Sequence, residues 1–281
     1  MGRLFAIVAL GVLFVSSAVK AQESPYFVVY DHYLEEPGAL EIAFLPLYAT
    51  QRESNDFVAG LLELEFGATA WWTTELYLDG QHTFNDSTLF TGFRWENRFR
   101  PLLNEHAVNP IFYVEYEDVN GADKVMKEIV GHDVEADHAE PNADAREESE
   151  RELELKLILS STFKGWNVSE NLIGVKNLAG EPWEFGYALG VSRPLALAAS
   201  AESCTFCREN FVAGFEMYGG LGDEDDFGLD GTSHYAAPII AWNLPNSVSL
   251  RLSPGFGLND DSHNFLLRFG VSYEFSHLGR R

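Results

Sequence analysis

Apolar and polar residues alternate along most of the chain after residue 38, in segments of about ten residues separated by turn-forming stretches. In the last segment, Arg268–Phe275, apolar residues at 269, 271, 273 and 275 alternate with polar or small ones. In another segment, the alternation predicts that Leu89, Thr91, Phe93 and Trp95 lie on the same face of a strand. Successive side chains of a strand point to opposite faces, so each segment predicts a β-strand between two environments. We count about twelve strands, within a range of about ten to fourteen.

Two all-β folds fit this alternation. A soluble periplasmic sandwich would bury the apolar faces in a core, and a transmembrane barrel would turn them toward lipid. The connections favour the barrel because they alternate in length, as expected when both termini lie in the periplasm. The longest outer connection is the acidic stretch Asp118–Arg151, whereas one inner connection, which carries both cysteines, is unusually long. We therefore predict a closed antiparallel transmembrane β-barrel with an acidic extracellular loop at 118–151.

The first 21 residues have the features of a secretory signal peptide. Arg3 precedes an apolar run from Leu4 to Val15, and small residues follow up to Ala21. The alternative, a membrane-anchor helix, needs about 20 apolar residues, which this run does not reach. We expect cleavage before Gln22, a barrel over residues 22–275, and a short periplasmic tail at 276–281. The predicted location is the outer membrane of a Gram-negative cell.

Tryptophan positions agree with a membrane barrel, which carries aromatic residues at both membrane interfaces. Trp71, Trp72, Trp166 and Trp242 lie beside predicted inner turns, and Trp183 lies beside an outer loop.

The C-terminal strand resembles the β-signal of bacterial outer-membrane proteins, with a polar residue, a glycine and two aromatic residues at the defining positions. The matching residues are Arg268, Gly270, Tyr273 and Phe275. The resemblance implies a last strand that pairs with the first and is recognised by the barrel-assembly machinery within outer-membrane lipid. The layout of about twelve strands, with an early EEPGALEI and acidic loops, resembles the phenol meta-degradation-type outer-membrane barrels. That resemblance implies passive passage of small molecules.

The polar faces of the strands are predicted to line the lumen, and on them ten acids face five bases. Besides Glu184, these residues are Glu63, Glu65, Glu75, Arg94, Glu96, Arg98, Glu115, Glu117, Glu154, Lys156, Glu216, Arg251, Arg268 and Glu274. Rings of carboxylates favour cations in channels. We predict a passive channel or transporter for small cationic or neutral solutes. The alternative is that these charges pair into a plug, giving a structural or surface-interaction barrel whose acidic loops bind a partner.

Other candidate sites are less specific. The formal net charge is −24, and the sequence has no stripe of basic residues that would bind nucleic acid. His132, Asp133, Asp137 and His138 offer ligand types suited to zinc, but their spacing matches no metal motif, and a solvated loop is the alternative. The acidic stretch Asp223–Gly231 lacks the spacing of a calcium-binding EF-hand. We expect no cofactor.

Two further residue pairs have candidate chemistry. Cys204 and Cys207 form a C-x-x-C pair, for which a disulfide is favoured over redox or zinc chemistry in an exported chain. Ser233 and His234 are adjacent, but neighbouring strand residues point apart and no third catalytic group is specified. We therefore expect no enzymatic site.

Overall fold

The computed structural model describes residues 24–51, 54–125, 140–200 and 204–276. Within these ranges, twelve antiparallel strands close into a barrel, in which sequence neighbours pair and the last strand pairs with the first. The strands are β1 (Leu40–Thr50), β2 (Phe57–Thr69), β3 (Trp72–Thr83), β4 (Thr88–Phe99), β5 (Asn109–Asn120), β6 (Ser149–Phe163), β7 (Trp166–Asn177), β8 (Trp183–Pro194), β9 (Phe211–Asp223), β10 (His234–Asn243), β11 (Val248–Gly257) and β12 (Phe265–Phe275). The predicted all-β barrel and its strand count are confirmed.

In the part of the chain that the structure describes, two short helical turns lie in connections. Helix α1 (Asn142–Ala145) precedes β6, and a 3-10 turn (Arg208–Asn210) precedes β9. Among the residues that the structure describes, no helix is long and apolar enough to cross a membrane.

Strands β1 and β12 close the barrel along most of their length. Leu40 pairs with Phe275, and Thr50 at the other end of β1 pairs with Phe265. An unpaired strand edge exposes backbone donors and acceptors, which cannot be satisfied in lipid. Closure therefore allows the sheet to stand in a membrane.

The outer surface of the barrel is apolar. Phe44, Trp95, Phe112, Leu172 and Phe269 lie on five different strands and are each between 41% and 54% exposed. Large exposed apolar belts are unfavourable in water but suit contact with lipid. The outer-membrane location predicted from the sequence is confirmed by this fold.

The connections fall into two sets, which we use to name the barrel ends. The turn end carries the described residues of the connections 70–71, 100–108, 164–165, 195–210 and 244–247, and the segment before β1 joins it there. The loop end carries the described residues of the connections 51–56, 84–87, 121–148, 178–182, 224–233 and 258–264. The connection predicted over 118–151 is shorter in the structure, because Asn120 pairs with Ser149 as the last and first residues of β5 and β6.

One strand departs from the predicted alternation. In β4, Gly92 pairs with Asp79 and Phe90 pairs with Gly80, so Thr91 is an extra residue in a bulge. Thr91 is 3% exposed and Phe90 is 63% exposed, and the prediction that Thr91 shares a face with Phe93 is therefore wrong. A bulge inserts one residue and reverses the alternation beyond it.

Candidate functional site in the barrel lumen

A ring of carboxylates around Arg98 forms one part of the inner wall. The Nη2 atom of Arg98 lies 2.5 Å from a Glu65 oxygen and 2.9 Å from a Glu75 oxygen, and its Nε atom lies 2.7 Å from Glu96 Oε1. These acids come from β2, β3 and β4, and alternation brings them to the inner face of adjacent strands. One guanidinium therefore holds β2, β3 and β4 together, through charge-assisted hydrogen bonds to Glu65 and Glu75 and an ion pair with Glu96.

A second group of charges lies on β3 to β6. The Arg94 Nε atom is 2.9 Å from Asp79 Oδ2, and its Nη1 atom is 3.7 Å from Glu115 Oε1. The Lys156 ammonium is 2.6 Å from Glu154 Oε1. Glu117 extends the same acidic row toward the loop end and is fully buried.

The residues before β1 occupy the lumen. We call residues 24–39 the lumen segment. The backbone amides of Phe27, Val28 and Val29 all donate to Glu216 Oε1, at 3.0, 2.8 and 2.8 Å. Hydrogen bonds to a charged partner contribute about 1.5–3 kcal/mol each. A single carboxylate of β9 therefore anchors this turn of the lumen segment.

Tyr30 connects the lumen segment to both groups of wall charges. Its hydroxyl donates to Glu96 Oε2 at 2.8 Å, and its backbone amide donates to Asn171 Oδ1 at 2.7 Å. The Arg98 guanidinium and the Lys156 ammonium lie 5.1 and 4.8 Å from the centre of its ring. Cations over an aromatic face are attracted by its quadrupole.

His32 fixes the lumen segment near the turn end. Its Nδ1 atom is hydrogen-bonded to Ser160 Oγ at 2.7 Å, and its Nε2 atom lies 3.0 Å from Glu105 Oε2 in the 100–108 connection. Beside it, the Tyr26 hydroxyl donates to Asn167 Oδ1 at 3.0 Å, and Asn167 itself donates to Ser160 Oγ at 3.2 Å, whereas Glu96 and Glu216 hold the segment from other strands. The segment is thus bonded to several sides of the barrel.

The interior beyond the lumen segment, toward the loop end, is apolar. Tyr26, Val28 and Val29 pack there in one buried cluster with residues of seven strands. The strand members are Leu47, Ala49, Phe57, Ala59, Ile173, Val175, Ala188, Tyr218, Tyr235, Ala237, Ile239 and Leu266. Burying apolar side chains stabilises the folded barrel. Packed side chains therefore fill the lumen between the lumen segment and the loop end.

Residues 121–125 fold into the barrel from the loop end. The Gln81 side chain donates to the Ala122 carbonyl at 2.9 Å and accepts from the Lys124 backbone amide at 3.1 Å. Val125 packs against the apolar cluster. Asp123 is buried beside Asp79, and desolvation raises the pKa of its carboxyl above the ordinary value.

A polar cavity of about 160 Å³ remains between the lumen segment and the wall. Its lining includes acids and bases from β1 to β4, β11 and β12, together with aromatic side chains of the lumen segment. The charged members are Glu35, Glu36, Glu41, Glu63, Glu65, Glu75, Arg94, Arg98, Arg251, Arg268 and Glu274. This volume could hold several water molecules or a small polar solute.

The residues predicted to line the lumen lie on the inner face of the barrel. Most are buried, and Arg268 and Glu274 face the cavity. Arg251 donates to the Tyr26 carbonyl at 3.0 Å, which ties β11 to the lumen segment. The structure therefore brings these side chains together, but most of them contact one another or the lumen segment instead of an open pore.

Other predicted sites are placed as follows. Cys204 and Cys207 are joined by a disulfide in the 195–210 connection. Ser233 Oγ donates to the Asp261 carbonyl, whereas His234 contacts Tyr187 and Thr232. Tyr273 and Phe275 of the predicted β-signal face outward. The candidate metal ligands His132, Asp133, Asp137 and His138, the signal peptide at 1–21 and tail residues 277–281 lie outside the described residues.

The sequence reasoning missed the lumen segment. The stretch YFVVYDHYL at 26–34 is rich in apolar and aromatic residues but does not alternate, so it does not predict a strand. A non-alternating apolar stretch directly before the first strand of a barrel was the available signal. Its partners could not be read from the sequence, because Asn171 and Glu216 are separated from it by 141 to 189 residues.

The barrel is similar to solved outer-membrane channels. It aligns with the "COG4313 outer membrane channel from Pseudomonas putida F1" at a TM-score of 0.56 and 13% identity, over 87% of this chain and 98% of that chain. It aligns with "KdgM porin" at 0.51 and 7% identity, over 84% and 99%. It also aligns with the NanC porin at 0.51 and 9% identity, over 83% and 98%.

Because these sequence identities are low, the structural similarity supports the fold alone. No family model matches the chain, and no curated protein matches it by sequence.

Proposed function

We propose that this chain is an outer-membrane channel for small solutes, with a preference for cationic or neutral ones. The observation that carries the proposal is the polar cavity beside the lumen segment, in a barrel whose inner wall is charged. Three similar barrels of known structure, a channel and two porins, agree with this function.

The charge of the wall supports the preference for cations. Among the residues predicted to line the lumen, acids outnumber bases, and Arg94, Arg98 and Lys156 are engaged by carboxylates. A surplus of fixed negative charge in a narrow passage attracts cations and repels anions. The cavity side of this wall includes Glu63, a buried carboxylate.

The lumen segment narrows the passage in the proposed channel. Polar contacts to Glu216, Asn171 and Glu96 hold residues 24–34, none of which belongs to a strand, whereas Gly38 and Ala39 share backbone hydrogen bonds with Gly67 of β2. Such a segment can leave the lumen without breaking the barrel. The passage of solutes through the channel then depends on how far the lumen segment moves out of the lumen.

A closed structural barrel is the second candidate. The burial of Tyr26, Val28 and Val29 in the apolar cluster favours it, because removing them exposes apolar surface. In that case the segment would remain in place and no solute would cross.

Reversal potentials across planar bilayers, measured with a potassium chloride gradient, test the proposed selectivity. The expected result is a cation-selective current. Glu63→Gln removes a cavity carboxylate and should reduce the selectivity, whereas Glu170→Gln removes an exposed carboxylate from the outer face of β7 and should not. Anion selectivity would contradict the proposed preference. Complete absence of current, together with no swelling of vesicles in neutral solutes, would support the closed structural barrel.

A further inference from the structure

Three carboxylates meet inside the barrel where β5 and β6 pair. Glu115 and Glu154 are directly opposite each other, and Glu117 is the next inward residue of β5. One oxygen from each side chain lies within 4.8 Å of the other two. All three residues are buried, with exposures of 1%, 6% and 0% for Glu115, Glu154 and Glu117.

The side chains around this group compensate two of the three charges. The Lys156 ammonium contacts Glu154, and the Arg94 guanidinium lies near Glu115. Among the residues that the structure describes, neither carboxylate oxygen of Glu117 has a hydrogen-bond partner. A buried carboxylate without a partner is strongly unfavourable unless it gains a proton or a cation.

We propose that Glu115, Glu117 and Glu154 bind one calcium ion. Calcium takes oxygen ligands at about 2.3–2.6 Å, so two oxygens bound to the same ion can be separated by up to about 5.2 Å. The 4.8 Å limit on the three oxygens fits that span. Magnesium keeps several water ligands and is usually bound through one or two carboxylates, so a group of three carboxylates favours calcium. Water molecules can complete the coordination of calcium.

The second group of three carboxylates inside the barrel does not support the same proposal. Glu63, Glu65 and Glu75 also lie within 4.8 Å of one another. However, Arg98 contacts Glu65 and Glu75 directly, so a side chain already supplies the cation. The incomplete compensation at Glu117 distinguishes the β5–β6 group.

Calcium at this position would join β5 to β6 near the loop end. Both strands lead into the 121–148 connection, whose first residues fold into the lumen. The ion would neutralise the acidic row next to that connection. This inference concerns calcium binding and does not depend on whether solutes cross the barrel.

Calorimetric titration of the folded full chain with calcium chloride, after treatment with a chelator, tests the site. The wild type should bind calcium, and Glu117→Gln should lose one bound ion or weaken its affinity at least about tenfold, because one charged ligand is missing. Glu170→Gln removes the same charge from the outer face and should bind as the wild type does. Heat-modifiable gel mobility shows that each variant is folded.

Two results would overturn the proposal. One is a wild-type barrel that binds no calcium at millimolar concentration, which would mean that a proton neutralises Glu117. The other is a folded Glu117→Gln barrel that keeps the stoichiometry and affinity of the wild type. If that variant does not fold, Glu154→Gln takes its place in the same comparison, with the same expected loss.

Discussion

Arg98 illustrates how single residues stabilise this barrel from inside. Its guanidinium contacts Glu65, Glu75 and Glu96, which would otherwise repel one another in a buried environment. Removing one partner of a buried ion pair leaves charges without compensation and costs about 3–5 kcal/mol. The cost of an exposed pair is much smaller, because water screens the charges.

We therefore expect Arg98→Met to lower the free energy of unfolding by about 3–5 kcal/mol, since three carboxylates lose their shared cation. Arg151→Met is the matched control, because Arg151 is largely exposed where it contacts Asp118. Urea unfolding from lipid vesicles, followed by tryptophan fluorescence, measures the free energy of unfolding of both variants. Equal stability of the two variants would contradict the role given to Arg98.

Gly190 of β8 allows the lumen segment to lie against the wall. A Cβ atom built at this position would lie 2.8 Å from Tyr26 Cε1 and from Val29 Cγ1. Both neighbours are buried and cannot move freely. Overfilling a packed interior costs about 1–3 kcal/mol, which can be avoided if the segment moves away.

Gly190→Ala should therefore loosen the lumen segment and speed its cleavage by chymotrypsin at the tyrosines and phenylalanine of residues 26–33. In the control Gly174→Ala, the nearest atom to the added Cβ is 3.7 Å away, so the cleavage rate should stay at the wild-type level. A Gly190→Ala protein cleaved no faster than this control would show that the segment does not depend on the close contact.

Among the elements, β12 closes the barrel, because it pairs with the first strand as well as with its sequence neighbour β11. It contacts β11 along one edge and β1 along the other, and its last paired residue is Phe275. Ser276 follows the strand without pairing. The residues needed for closure thus end at Phe275.

Removal of residues 276–281 should leave assembly intact, because no strand pairing in the described part of the chain extends beyond Phe275. Truncation after Gly270 is the control and should fail, since Val271, Tyr273 and Phe275 then no longer pair with β1. Heat-modifiable mobility of outer-membrane fractions measures assembly. If the variant that lacks only residues 276–281 failed to insert, the prediction that the β-signal ends at Phe275 would be contradicted.

The elements also show what the sequence could predict. Alternation is a local property of each strand, so the faces of β5 and β12 followed directly from neighbouring residues. The bulge at Thr91 could not be predicted, because it depends on how Gly92 approaches Asp118: a Cβ there would lie 2.3 Å from the Asp118 carbonyl oxygen. The lumen segment was missed because its contacts join residues far apart in the sequence.

The apolar interior near the loop end was also not predicted. Leu47, Phe57 and Ile173 face inward in the buried apolar cluster, whereas only charged residues were predicted to line the lumen. Hydrophobic residues on both faces of a strand are consistent with either a packed interior or a lipid-facing surface, and the pattern alone does not separate the two. The partners that fill the interior, Val28 and Val125, come from outside the strands.

For the whole molecule, these features describe a barrel whose passage is narrowed from within. The lumen segment occupies the interior from the turn end, residues 121–125 fold in from the loop end, and a polar cavity remains beside the segment. The strand pairing of the closed sheet does not use residues 24–34, whereas Gly38 and Ala39 share backbone hydrogen bonds with Gly67 of β2. The barrel should therefore persist without residues 24–34, and the passage should widen.

The most direct test of this account is the single-channel conductance of the chain with and without residues 24–34, in planar bilayers at equal potassium chloride concentration. The deletion removes the amides that donate to Glu216 and the Tyr30 side chain, and it leaves every strand complete. We expect the deletion variant to conduct more than the intact chain and to remain cation-selective. Equal conductance of the two folded proteins, or no current from either, would contradict the account.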